Sequence, residues 1–219
     1  MAFLPIFLSC LLLSILSITN LALISSMVAW LHIQKTQVKS YAINWPNDSF
    51  HLQALPEHLW LDQGHTSNGV AGYGFFLGLV GLYVAWRQRK RDGRGPSKTL
   101  LGLVILLSLA VVFTLVALAF VFTVAHDTKG QTILSSVAKA GVKYPAHKWT
   151  PATWYKAVLK LPLADGSVRS DIKSHVTNIE AWEYMLIPIF LTDILALGIA
   201  VTAMMKQRKG QPSENPTEK

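Results

Sequence analysis

An aspartate inside an apolar run is the first residue in this 219-residue chain whose type and place could do chemistry: Asp193, within Leu191-Thr-Asp-Ile-Leu-Ala196. An ionisable side chain at the centre of a membrane span costs about 2.5–3.5 kcal/mol on insertion scales, so it is usually kept for a use. Asn20 lies at a similar depth in the first apolar run, counted from the opposite end, and the two make a candidate intramembrane polar pair in which an amide donates to a carboxyl group. Two uses follow. Asp193 is either a proton or cation site inside a bundle, or a hydrogen-bonded acid that joins two helices. A lone carboxylate without a second charge is a poor relay, which favours the second use.

The seven histidines come next: His32, His51, His58, His65, His126, His147 and His175. His51, His58 and His65 recur every seven residues, but on a helix that spacing separates neighbours by about 10 Å, and Pro56 and Gly64 interrupt such a helix. One metal ion cannot bridge them, and no metal or cofactor is expected. An enzyme reading would need an outer histidine or Asp193 working with a carboxylate such as Asp127 or Asp171. The sequence shows no Gly-rich phosphate loop, no helical His-x-x-x-His pair and no nucleophile beside a plausible base. The single cysteine, Cys10, excludes an intramolecular disulfide, and its apolar surroundings exclude a zinc cluster. Asn47-Asp-Ser49 fits the acceptor pattern for N-glycosylation.

The elements that must position these groups are apolar runs. A chain with 51% hydrophobic and 15% charged residues and a mean hydropathy of +0.35 is of the polytopic membrane class. The net charge of +8 is dispersed apart from the cluster between Arg87 and Lys98, so anionic headgroups, not nucleic acid, are its expected partner. A bilayer core about 30 Å thick takes about 20 residues of helix. The expected order is therefore a first span over 3–32, an outer loop over 33–69, a second span over 70–86, a basic cytoplasmic loop over 87–98 and a third span over 99–125. A longer outer loop over 126–183, a last span over 184–205 and a disordered cytoplasmic tail over 206–219 complete it. Met1-Ala-Phe-Leu-Pro5 lacks the basic start of a secretory signal, so the first span is expected to be retained. Lysine and arginine collect on the cytoplasmic side, which puts Arg87, Arg89, Lys90, Arg91, Arg94 and Lys98 inside with both termini. Gly74, Gly78, Gly81 and Ala85, at steps of four, three and four, form one helical face on which another backbone can pack closely. Thr150 and Pro151 open a short amphipathic helix over 150–161 whose Trp154, Tyr155, Val158, Leu159 face meets either headgroups or the first outer loop, with headgroups expected.

The fold expected is thus an all-α bundle of four transmembrane helices with a small outer domain formed by two loops. Tetraspanins and claudins carry paired outer-loop cysteines, and vitamin K epoxide reductases a Cys-x-x-Cys pair; neither occurs here. Trp149-Thr-Pro-Ala-Thr-Trp-Tyr-Lys-Ala-Val-Leu-Lys-Leu-Pro162, with Asp171-Ile-Lys-Ser-His175, Trp182 and Leu186-Ile-Pro188, resembles a group of uncharacterised four-span membrane proteins of filamentous fungi. The resemblance implies a membrane location and no activity. The absence of catalytic signatures points to a non-enzymatic organiser or accessory subunit for an unknown membrane partner, in the secretory pathway or plasma membrane. A small proton- or cation-coupled transporter using Asp193 is the first alternative, and a small integral membrane enzyme the second.

Overall fold

The computed structural model describes residues 3–46, 48–90, 97–139 and 149–209. Asn47, Arg91, Arg94, His147 and the tail from Gly210 lie outside them. Four long helices carry the chain: α1 (Phe3–Ile33), α2 (Asp62–Arg89), α3 (Lys98–Asp127) and α6 (Gly166–Lys209). Each is long and apolar enough to cross a membrane. Two of them exceed the apolar runs that announce them. Helix α2 begins at Asp62, well before Val70, and α6 is continuous from Gly166 at about 66 Å. Polar residues propagate a helix as readily as apolar ones once its backbone bonds are made, so hydropathy marks a span and not the helix that contains it.

The chain divides into two compact units. One comprises Met1–Thr19, Val70–Val116 and Ile187–Lys219; the other comprises Asn20–Gly69 and Ala117–Leu186. In the first unit the helices are apolar on their outward faces as well as inside: Phe7, Ile15, Phe76, Ile105, Val112 and Leu191 are all exposed. A soluble helix would show a polar outer stripe. Its end near the basic residues is tied by side-chain amides. Gln207 donates to Gln88 Oε1 at 2.7 Å, and Gln207 Oε1 accepts from the Ser97 backbone N–H at 3.3 Å.

The second unit corrects the all-α expectation. The described residues are 79% helical, but β1 (Ser40–Trp45) pairs antiparallel with β2 (Asp48–Gln53), with Tyr41 opposite Leu52 and Ile43 opposite Phe50. Tyr41 and Ile43 are buried while Ala42 and Asn44 are exposed, the alternation of a half-buried strand. Leu163 bridges to Ile43, and the flanking bonds from the Asn44 N–H to the Pro162 carbonyl and from the Ala164 N–H to the Ala42 carbonyl add a short third edge. Two short helices, α4 (Ser135–Lys139) and α5 (Pro151–Val158), complete the unit. Thr150 and Thr153 form a reciprocal capping box at the start of α5.

Helix α5 is not a surface helix. Trp154, Tyr155 and Val158 are buried together with Ala152 and Ala157, and the Trp154 indole N–H donates to the Ala54 carbonyl at 2.8 Å. The expected headgroup contact of this face is therefore replaced by packing on the chain between β2 and α2. The indole explains the choice, because a buried N–H needs an acceptor and the end of β2 supplies one.

Candidate functional site

Asp193 is 1% exposed, and its Oδ2 lies 2.7 Å from the Thr114 hydroxyl on α3. The same hydroxyl lies 2.9 Å from the Ala110 carbonyl. A hydroxyl has one proton, so either the carboxylate accepts it, or a protonated Asp193 donates to Thr114 while Thr114 donates to Ala110. In both arrangements a neutral group meets Oδ2, while Oδ1 is buried without a hydrogen-bond partner and no ion pair reaches the acid among the described residues. Asn20, the partner inferred from depth, makes no side-chain hydrogen bond among the described residues; its Nδ2 and Oδ1 are buried there without a partner. Depth counting fixes height along a helix and not azimuth, and Thr114 carried no charge to draw notice.

The glycine face of α2 packs against α1 inside the first unit. A Cβ built on Gly78 would fall against the Ser14 hydroxyl and lie 2.7 Å from the Cys10 carbonyl oxygen, and one on Gly81 would meet Cys10 Sγ. On Gly74 it would lie 2.5 Å from Ser17 Oγ. Ala85 is fully buried. The Ser14 hydroxyl crosses the same contact to donate to the Phe75 carbonyl at 3.2 Å. Absence of side chains on α2 thus brings two backbones close enough for a hydroxyl-to-carbonyl bond between helices.

The second unit holds a feature that hydropathy does not reveal, a cleft of about 910 Å³. This is near the upper end of the roughly 300–1,000 Å³ of small-molecule sites. One wall is a stripe on α1, Ile24, Met27, Val28 and Leu31, at the spacing of a single helical face. Further apolar lining comes from Leu55, Leu59 and Leu61, with Ile179 and Trp182 from α6. The rim is basic: among the described residues Lys35, Lys39, His32, His58 and His65 share it with a single acid, Glu57. Neither lysine forms an ion pair among the described residues.

Two backbone irregularities shape that rim. Helix α1 ends in one π-helical turn, Gln34–Val38, closed by the Lys39 N–H on the Gln34 carbonyl at 3.0 Å. Wide turns of this kind recur at functional sites. Lys39 follows with φ +62° and ψ −43°, a conformation that costs a lysine on the order of 1–3 kcal/mol. The surrounding bonds hold it there, including the one from the Ala54 N–H to its carbonyl at 2.9 Å.

Within the cleft, Gln63 on α2 is 1% exposed, yet neither its Nε2 nor its Oε1 has a partner among the described residues. An unmet buried amide costs about 1–3 kcal/mol per group and asks for an explanation. Gln34, also lining the cleft, accepts at Oε1 from the Tyr41 hydroxyl at 2.6 Å. Behind it the Trp30 indole donates to Asp171 Oδ2 at 2.9 Å, stacks on His175 at 4.2 Å and tilts against Tyr155 at 4.5 Å. His175 Nδ1 lies 2.9 Å from the Asp171 carbonyl and 3.3 Å from its Oδ1. Burial, and after it the neighbouring Tyr41 phenol and the Asp171 carboxylate, pushes the Tyr155 hydroxyl well above its ordinary value, so the group stays neutral. Asp171 and His175 are thus occupied in bracing Trp30.

The remaining sequence candidates are dispersed. Asn47 lies outside the described residues. His51 is on β2, His126 pairs with Asp127 at 3.5 Å on an exposed end of α3, and the described residues hold no cluster of metal-binding side chains. Of the basic cluster, Lys90 covers the Trp86 ring at 4.0 Å, and Arg89 lies over Phe3 at 5.6 Å. No family model matches the chain, and neither the curated proteins nor the solved structures give a match.

Proposed function

We propose that this chain is a four-span membrane protein with a non-enzymatic role, an organiser or accessory subunit that works through its folded second unit. The observation that carries the reading is the environment of Asp193, whose one side-chain partner among the described residues is the Thr114 hydroxyl. A proton or cation path needs a second group to hand the charge to, whereas a carboxyl bonded to a hydroxyl joins α3 to α6. In the proposed orientation the basic ends, with Arg87, Arg89, Lys90 and Lys98, meet anionic headgroups on the cytoplasmic side. Residues 33–69 and 126–183 face outward.

The test is Asp193→Asn in proteoliposomes. The amide keeps both the shape and the bond to Thr114, so yield, thermal stability and any co-purifying partner should be unchanged. A wild-type flux driven by a pH gradient that disappears in the Asn variant would place the chain among transporters instead. Orientation is read separately with an impermeant thiol reagent on intact cells: a cysteine at Ser167 should react and one at Gly95 should not, and the reverse pattern inverts the topology.

A further inference from the structure

We infer that the cleft of the second unit is a binding site for one anionic single-chain amphiphile, its tail along the α1 stripe and its carboxylate or phosphate head at Lys35, Lys39 and Gln63. Neither the span pattern nor the organising role requires such a site, and its evidence is independent of both. Size comes first. At about 910 Å³ the cleft is far larger than an ordered water or two would need, and its lining combines apolar residues with polar and charged ones, as an amphiphile requires.

The shape is amphiphilic along one axis. From Ile24 to Lys35 the helix rises about 16 Å, with apolar side chains over most of that length and a cation at its end. The mouth is greasy: Val28 is 60% exposed and Leu61 is 40% exposed, although both line the cleft. A water-soluble anion gains nothing from such an entrance, whereas a chain arriving from a lipid phase does. The rim sets two lysines against one glutamate, which selects a negative head over a zwitterionic or neutral one.

Gln63 supplies the sharpest indication. Its amide is almost wholly buried, lines the cleft, and has both donor and acceptor unmet. Both amide atoms are closed to solvent, so a turn of the Gln63 side chain into the cleft would let a carboxylate or phosphate oxygen accept from Nε2 and a protonated oxygen or glycerol hydroxyl donate to Oε1. The ligand therefore completes a polar group that the fold leaves incomplete.

The experiment titrates the full chain, purified in a nonionic detergent, with oleate, 1-oleoyl lysophosphatidate or oleyl alcohol and counts bound molecules by native mass spectrometry. One anion per chain should bind saturably, at least tenfold tighter than the alcohol, and the two anionic arms tell carboxylate from phosphate. Gly64 lines the cleft, and a side chain started there meets nothing within 4 Å. Gly64→Phe should therefore fill the site and abolish binding without lowering the melting temperature. Gln63→Leu removes the unmet amide and should fold at least as well while binding at least tenfold more weakly; Lys35→Gln combined with Lys39→Gln should weaken the anions alone. The assignment is overturned if the alcohol binds as tightly as the anions, or if Gly64→Phe retains saturable binding. It is equally overturned if a co-purifying peptide or two-chain lipid, and neither anion, is what Gly64→Phe expels.

Discussion

Adding one methyl group at Gly78 tests whether α1 and α2 pack backbone to backbone. In Gly78→Ala the new carbon would lie 2.7 Å from the Cys10 carbonyl oxygen and 3.0 Å from the Ser14 backbone nitrogen, besides meeting the Ser14 hydroxyl. A hydroxyl can rotate away, but a helix carbonyl cannot, so α1 must retreat by about half an ångström or more. Overpacking of this kind costs about 1–3 kcal/mol. The retreat also stretches the Ser14 to Phe75 bond, already 3.2 Å, and an interhelical bond contributes about 0.6 kcal/mol or somewhat more. The expected loss is about 2–4 kcal/mol, seen as a fall in Tm on the order of 5–15 °C for the detergent-solubilised protein. Gly72→Ala on the same helix is the control, since a Cβ there meets nothing within 4 Å and alanine is the better helix former by about 1 kcal/mol. In a Ser14→Ala background, which removes the hydroxyl clash and its bond to Phe75 but not the Cys10 carbonyl, Gly78→Ala should still lower Tm, by less than in the wild type. Equal melting of Gly78→Ala and Gly72→Ala would refute the close approach, and no effect of Gly78→Ala in the Ser14→Ala background would show that the side chain alone was in the way.

Two further outcomes are expected. Trp154→Phe keeps a ring against Trp149 but leaves the Ala54 carbonyl unpaired, and should destabilise by about 1–3 kcal/mol in thermal unfolding; stability equal to wild type would mean that the indole N–H faces headgroups after all. At the start of α6 the Ser167 hydroxyl and backbone N–H hold the Asp165 carboxyl below its usual value. The native state thus favours the carboxylate, the stabilisation is present above the unfolded-state value, and it is lost as pH falls through the depressed native one. Hydrogen exchange of the 166–170 segment should therefore accelerate, after correction for intrinsic rates, at pH values below the usual carboxylate range. Asp165→Asn should remove that dependence, and identical profiles for the two proteins would sink the argument.

Much of the second unit was readable in residues that composition alone passes over. Tyr41, Ile43 and Trp45 alternate with Ala42 and Asn44, and Phe50 and Leu52 continue the period after Pro46. That is a hairpin signal which mean hydropathy averages away. The capping residues of α5 were legible because a cap is local, with Thr150 and Thr153 three positions apart. Whether the helix they start faces lipid or a protein core was not, because the answer depends on the Ala54 carbonyl, supplied by a distant stretch of chain.

The four apolar helices are what the sequence determines by itself. Each is decided within its own twenty or so residues by the cost of placing unpaired backbone and charge in hydrocarbon, and no distant residue changes that balance. Polar pairing is decided only by the tertiary structure. Nothing in Asp62-Gln-Gly-His65 announces a buried glutamine, since the cleft that Gln63 lines is built with distant residues such as Pro151, Ile179 and Trp182. Asp193 bonds to Thr114 for a similar reason. The rotation of a helix about its axis is set by side-chain packing over its whole length, and hydrogen bonds reward azimuth as strictly as depth.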